Sequence, residues 1–292
     1  MKYFISSYSN YVLNNIHWLT GPARSGTSVI GGVFYTLKNV EYFYEPEFLF
    51  SLLPTMHKLK ADYFELLYST YLSEELVFNS IVGRKINFRN IDQSYIGNSK
   101  TPSEINFKMK NKLNRSAILN FYKKKNFSIV IKVPDLVKNI INLKIKYPKN
   151  KIIFINRNSF DLINSLITKN WFDDKNIKNS IFPLTKIKNC FYPVWLPKEN
   201  YDNWNHYNSA ERSVLYVNLI KKIMREYKPD FQIDYDEFIE NPKSITEKIC
   251  YKFKLKQTKK TVETIKRVKK KNKNLKNLRG LNIRQSLIND II

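Results

Sequence analysis

GPARSGTS, residues 21–28, lies between the apolar run NIHWLT (15–20) and VIGGVFYTL (29–37). A strand that turns through glycines into a helix aims backbone N–H groups at one point. The helix dipole adds about half a positive charge there. The phosphate-gripping loop of ATP- and GTP-using proteins reads G-x-x-x-x-G-K-[ST]. Gly21, Gly26 and Ser28 fall in place, but Thr27 stands in the lysine slot and Arg24 sits inside the loop. Arg24, Ser25, Thr27 and Ser28 add side-chain donors. The plainer alternative is a tight strand–helix turn with ordinary capping.

Working outward, apolar strands alternate with helical periodicity. FSIVIKVP (127–134) and KIIFINRN (151–158) read as buried strands, and FQIDYDEF (231–238) as a last one. Helices are expected over 55–82, 136–148, 159–171 and 208–227, with another opening at Asn241-Pro242. VEYFYEPEFLF reads as a strand entering a loop at Glu45-Pro46. Gly31 and Gly32 lie inside the helix after the loop, at a cost of about 1 kcal/mol each against Ala; close packing of that helix on the sheet would account for both. The stretch 172–205, with three prolines, reads as irregular. Alternation of this kind predicts an α/β fold, a P-loop-type parallel sheet flanked by helices on both faces. A single α/β domain is expected over 1–256, with a basic helical tail over 257–292.

The chain has 292 residues and a net charge of +25. Of its 50 basic residues ten are arginine, so 50 − 10 = 40 are lysine, scattered rather than striped. That pattern favours solvated surface over a specific nucleic-acid groove, while retaining a general preference for anionic ligands. No apolar run reaches membrane-spanning length, and no cleavable leader is evident. Cys190 and Cys250 are isolated, which suggests neither a metal site nor a disulfide framework. A cytoplasmic protein is the expectation.

The lysine of a triphosphate loop, with Mg²⁺, neutralises the β- and γ-phosphates. A transferred group of lower charge, such as a sulfuryl group, could manage without both. At this point the sequence resembles a known family. GPARSGTS followed by YEP (44–46) looks like the sulfotransferases that use 3′-phosphoadenosine-5′-phosphosulfate (PAPS), and most like the branch acting on carbohydrates. The resemblance implies that Arg24, Ser25, Gly26, Thr27 and Ser28 bind the 5′-phosphosulfate. It implies that Arg157, at a strand end in FINRNSFDLINSL, and Ser165, eight residues later, bind the 3′-phosphate. Phe160 departs from the second basic residue common in that family segment. IDYDEFIENPKSITEKI resembles an element that is mainly structural. The likeness covers about 15–48, 127–168 and 228–256.

Sulfuryl transfer to a hydroxyl needs a base and stabilisation of the departing oxygen. The resemblance makes Glu45 the base, and Pro46 fixes its position beside the loop. Glu47 is the rival, because strand alternation would put it on the same face; a structural pairing of Glu45 with Arg24 or a neighbour is the alternative. Arg24, the loop N–H groups and Lys132 would stabilise the leaving group. His17 reads as a core or strand-edge histidine, and His206 as a second candidate for acid–base work. Trp171, Trp195, Trp204, Tyr192 and Phe191 are candidates to stack on adenine or a sugar. The expected acceptor is a hydroxyl compound, first of all a saccharide, with no metal. Two other readings compete: a P-loop kinase, for which Asp234 is the best Mg²⁺ ligand, and a basic nucleic-acid-binding protein.

Overall fold

A computed structural model describes residues 3–125, 127–179, 183–268 and 282–291. Five parallel strands form the central sheet: β1 (Ile16–Thr20), β2 (Val40–Tyr44), β3 (Ser128–Lys132), β4 (Lys151–Asn156) and, last in the sheet, Phe231–Asp234. Two shorter antiparallel strands precede that last one in the chain, β5 (Leu184–Ile187) and β6 (Cys190–Pro193), so it is β7. The order across the sheet is β2-β3-β1-β4-β7.

Strand alternation divides the core. Ile16, Trp18, Ile129, Ile131, Ile152 and Phe154 face one layer, with Val137 and Ile140, Leu162 and Leu166, and Val214 and Val217 from three covering helices. Those helices are Val137–Lys146, Ser159–Thr168 and Ser209–Glu226. Leu19, Val130, Ile153, Ile155 and Ile233 face the other layer, under Ile30, Val33 and Phe34 of Thr27–Thr36 and Ile245 and Ile249 of Pro242–Phe253. Both faces are buried, which is why the strands read as nearly continuous apolar runs. The α/β fold is as expected.

Local departures have local causes. β7 ends at Asp234, not at 238, because the Asp234 carboxylate caps the next helix, accepting from the N–H groups of Asp236 and Glu237 at 2.9 and 3.1 Å. The stretch 172–205 is not irregular: it holds the helices Asp174–Lys178 and Tyr201–His206 and the β5–β6 hairpin. The helix expected from 55 starts at Ala61 and widens into a π-helical segment over Tyr71–Phe78. Gly31 does pack closely, since a Cβ there would meet the Tyr42 hydroxyl at 2.1 Å, but a Cβ on Gly32 would meet nothing within 4 Å. Thr258 and Thr261 donate from their hydroxyls to the Thr36 carbonyl, tying the helix Lys259–Lys266 to the domain. Residues 269–281 of the expected tail lie outside the described residues.

Candidate functional site at the carboxyl edge of the sheet

β1 is the central strand, with β3 on one side and β4 on the other; the chain runs from β1 to β2 at one edge and later crosses from β3 over β1 to β4, so the direction of winding reverses beside β1. In open α/β sheets the crevice outside the carboxyl ends at such a switch point is where ligands bind. All five strands contribute there. The loop 21–26 follows β1, Glu45 follows β2, Lys132 ends β3, Arg157 follows β4 and Tyr235 follows β7. Together they line a cleft of about 770 Å³, within the range of small-molecule sites.

The loop keeps its shape through glycines and a buried brace. Gly26 has φ +97 and lies against Tyr235, whose ring a Cβ would strike at 2.0 Å. The helix after it begins without a side-chain cap, which leaves first-turn N–H groups for a ligand. Asp135, two residues past Val133, holds the other side. Its N–H donates to the Gly21 carbonyl at 3.1 Å, and its Oδ1 accepts from the Ala23 N–H at 2.9 Å and from the Tyr216 hydroxyl. Burial pushes the Asp135 carboxyl up to about 6, against the pull of those two donors. Ser25 is fully buried, and its hydroxyl has no partner among the described residues.

Lys132 is 1% exposed and sits between the loop and the expected base. Its Nζ donates to Ser28 Oγ at 2.7 Å and to Glu45 Oε1 at 2.5 Å, and lies 4.1 Å from the centroid of the Tyr44 ring. Glu45 therefore pairs with Lys132, not with Arg24. The Glu45 N–H bonds to the Lys132 carbonyl at 3.1 Å, extending the β2–β3 ladder by one residue. Arg24 turns elsewhere: its Nε is 3.3 Å from Ser165 Oγ, and its carbonyl accepts from Arg157 Nη1 at 2.9 Å. The Arg157 guanidinium lies 5.2 Å from the Tyr235 ring centroid, and Lys221 Nζ holds the Arg157 carbonyl at 2.5 Å. Arg24, Glu45 and Asp135 have φ of 68°, 43° and 69°, left-handed values that non-glycine residues hold only when their surroundings impose them.

Of the residues expected at the site, Arg24, Gly26, Thr27, Ser28, Glu45, Lys132, Arg157 and Ser165 line the cleft, and Ser25 lies beneath it. Glu47 does not share a strand face with Glu45: β2 stops at Tyr44, and Pro46 caps a short helix that Glu47 opens. His17 is half-buried against Phe253, and desolvation pushes its imidazole down to about 4. His206 is exposed and ends the helix Tyr201–His206. Trp171 lines the cleft, whereas Trp195 and Trp204 pack with Phe172 and Tyr216. Asp234 is spent on its cap and on Asn156 Nδ2 at 3.2 Å. Among the described residues no group of three or more His, Cys, Asp or Glu could hold a metal. Sequence reasoning missed Asp135 and Tyr235. A polar residue directly after a strand-ending proline was the available signal for the first. The second lay in an element read as mainly structural.

No protein-family model matches the sequence, and no curated protein matches it. Among solved structures, the chain is similar to several sulfotransferases. One is the sulfotransferase domain from the curacin biosynthetic pathway, with a TM-score of 0.44 and 14% identity over 86% of this chain and 77% of that one. A second is the sulfotransferase domain from the Synechococcus PCC 7002 olefin synthase, with a TM-score of 0.39 and 14% identity over 86% and 77%. A third is a sulfotransferase from Mycobacterium avium, with a TM-score of 0.41 and 14% identity over 87% and 67%. At this distance the chemistry of the site rests on its own residues.

Proposed function

We propose that the protein is a sulfotransferase that moves a sulfuryl group from PAPS to a hydroxyl, a carbohydrate hydroxyl first. The observation that carries this reading is the hydrogen-bonded chain Ser28–Lys132–Glu45 at the mouth of a phosphate loop with threonine in its lysine slot. The cleft suits such a donor in three ways. The helix N-terminus is uncapped. A second basic pole, Arg24 and Arg157, stands apart from the Lys132–Glu45 pair, and the Arg157 Nε is buried without a partner among the described residues. Trp171 offers an aromatic face at the rim.

When bound, the donor supplies a sulfuryl group of low charge beside the loop. Glu45 accepts the acceptor's proton as its oxygen bonds to sulfur. The bond from sulfur to the donor's bridging oxygen breaks, and charge grows on that oxygen. Lys132 has three N–H donors. Two are used by Ser28 and Glu45; the third, which has no hydrogen-bond acceptor among the described residues, would meet the growing charge, together with the first-turn N–H groups. The same lysine holds the Glu45 carboxylate in place, Nζ to Oε1 at 2.5 Å. The YEP likeness supports the saccharide as acceptor class.

Turnover of PAPS with a panel of sugar, phenol and lipid hydroxyls, measured in excess EDTA, tests this reading. Sulfated product that is insensitive to EDTA is expected. Transfer from ATP that vanishes with EDTA and returns with Mg²⁺ would establish the kinase reading in its place.

A further inference from the structure

The wall of the cleft beside the loop holds a buried acid with no cation of its own. Asp135 is 4% exposed and lines the cleft. Its Oδ1 takes two donors, the Ala23 N–H at 2.9 Å and the Tyr216 hydroxyl, and Oδ2 has no donor among the described residues. Three titratable groups face it from three elements: Tyr216 on the helix Ser209–Glu226, Glu45 after β2 and Lys132 on β3. Lys132 is committed to Glu45 at 2.5 Å. Glu45 pushes the Asp135 carboxyl up and Lys132 pulls it down, so the pair leaves Asp135 uncompensated. The loop's own arginine, Arg24, turns to Ser165.

An anion seated against Thr27 and Ser28 shares the cleft with this carboxyl. Like charges in a buried site disfavour each other, and the group that can take a proton gives way. A phosphosulfate keeps its charge near neutral pH. Asp135 need not, since burial already pushes its carboxyl up to about 6. We propose that Asp135 takes up a proton as the loop binds its anion, and that the neutral acid then donates from Oδ2 to an anion oxygen. Oδ1 goes on accepting from Ala23 and Tyr216, so the proton goes to the oxygen without a donor, and a protonated carboxyl has one O–H to give. The proton comes from solvent, so nucleotide affinity falls as pH rises. This rests on the nucleotide reading above.

Calorimetric titration with adenosine 3′,5′-bisphosphate, in buffers of different ionisation enthalpy, counts the protons exchanged per nucleotide bound. Subtracting the count for Asp135→Asn removes the ligand's own phosphate protons. Asparagine tolerates left-handed backbone and still offers an oxygen to Ala23 and Tyr216, and circular dichroism checks the fold. The wild-type excess should reach roughly half a proton or more at about pH 7, and wild-type affinity should fall more steeply with pH than that of the variant, by up to about tenfold per unit. Tyr216→Phe removes a donor to the charged form, so it should move the excess to higher pH. Equal proton counts in wild type and Asp135→Asn overturn the assignment. Uptake that Glu45→Gln abolishes and Asp135→Asn keeps gives the proton to Glu45 and overturns it as well. Wild-type protein that does not bind the bisphosphate overturns the proposed function itself, and this assignment with it.

Discussion

Glu45 combines three properties in one residue: a left-handed φ of 43°, a backbone bond to β3 and a carboxylate on Lys132. Glu45→Gln keeps the shape and removes the proton acceptor. The rate of transfer should fall by about 10²- to 10⁴-fold, with nucleotide affinity little changed. Glu47→Gln, on the exposed first turn of the next helix, should cost far less; single-turnover rates on folded protein compare the two. Asp135 makes a different prediction. Its carboxyl is raised from 3.8 to about 6 by burial, so the folded protein binds this proton more tightly than the unfolded chain. The contribution to stability is fully present below about 3.8 and is lost as pH rises through about 6. Asp135→Asn, which still offers an oxygen to Ala23 and Tyr216, should flatten the fall in stability between those two pH values. Urea melts at pH 4.5 and 7 on both proteins give the difference; identical slopes would remove Asp135 as the titrating brace.

At the scale of elements, the helix Thr27–Thr36 carries two adjacent glycines with opposite meanings. A methyl at Gly31 would enter the Tyr42 hydroxyl, and one at Gly32 would enter open space. Gly31→Ala should therefore destabilise, by roughly 1–3 kcal/mol as overpacked sites do. Gly32→Ala should stabilise by about 0.5–1 kcal/mol, through helix propensity alone. Urea denaturation of the two variants side by side checks both signs. β3 and β4 were legible in the sequence because strands buried on both faces are apolar throughout. The end of β7 was not, because IDYDEF continues the apolar alternation while Asp234 stops the strand with its own side chain.

For the whole molecule, the charge of +25 sets a field, and the cleft sets what the field serves. Lys100, Lys108, Lys132 and Lys221 are buried, and each has a protein partner: the Val40 carbonyl, Glu41, Ser28 with Glu45, and the Arg157 carbonyl. Those partners give the four lysines internal roles, so they add nothing to a nucleic-acid surface. Adenosine 3′,5′-bisphosphate at a hundredfold excess over its dissociation constant should add about 2.7 kcal/mol of apparent stability. AMP at the same concentration should add clearly less, and a short oligonucleotide should lose any effect in moderate salt. Thermal shift with the three ligands reads this directly, and an equal shift with AMP would deny the second anion pole a role.

The sequence by itself determined the sheet with its two covering layers, and the loop with its missing lysine. Both are written in short-range patterns: apolar runs, helical spacing, and glycines between a strand and a helix. The family resemblance also pointed to Glu45, Arg157 and Ser165, and the place of Lys132 near the end of its strand pointed to that lysine. Only the tertiary structure decided which of them meet. Lys132 reaches Glu45 and Ser28 because β3 lies between β2 and β1. Arg24 reaches Ser165 and Arg157 because β4 flanks β1 on the other side. Asp135 and Tyr216, 81 residues apart in the chain, brace the loop from beneath. Such partnerships depend on strand order across the sheet, and strand order is set by long-range packing that no local pattern encodes.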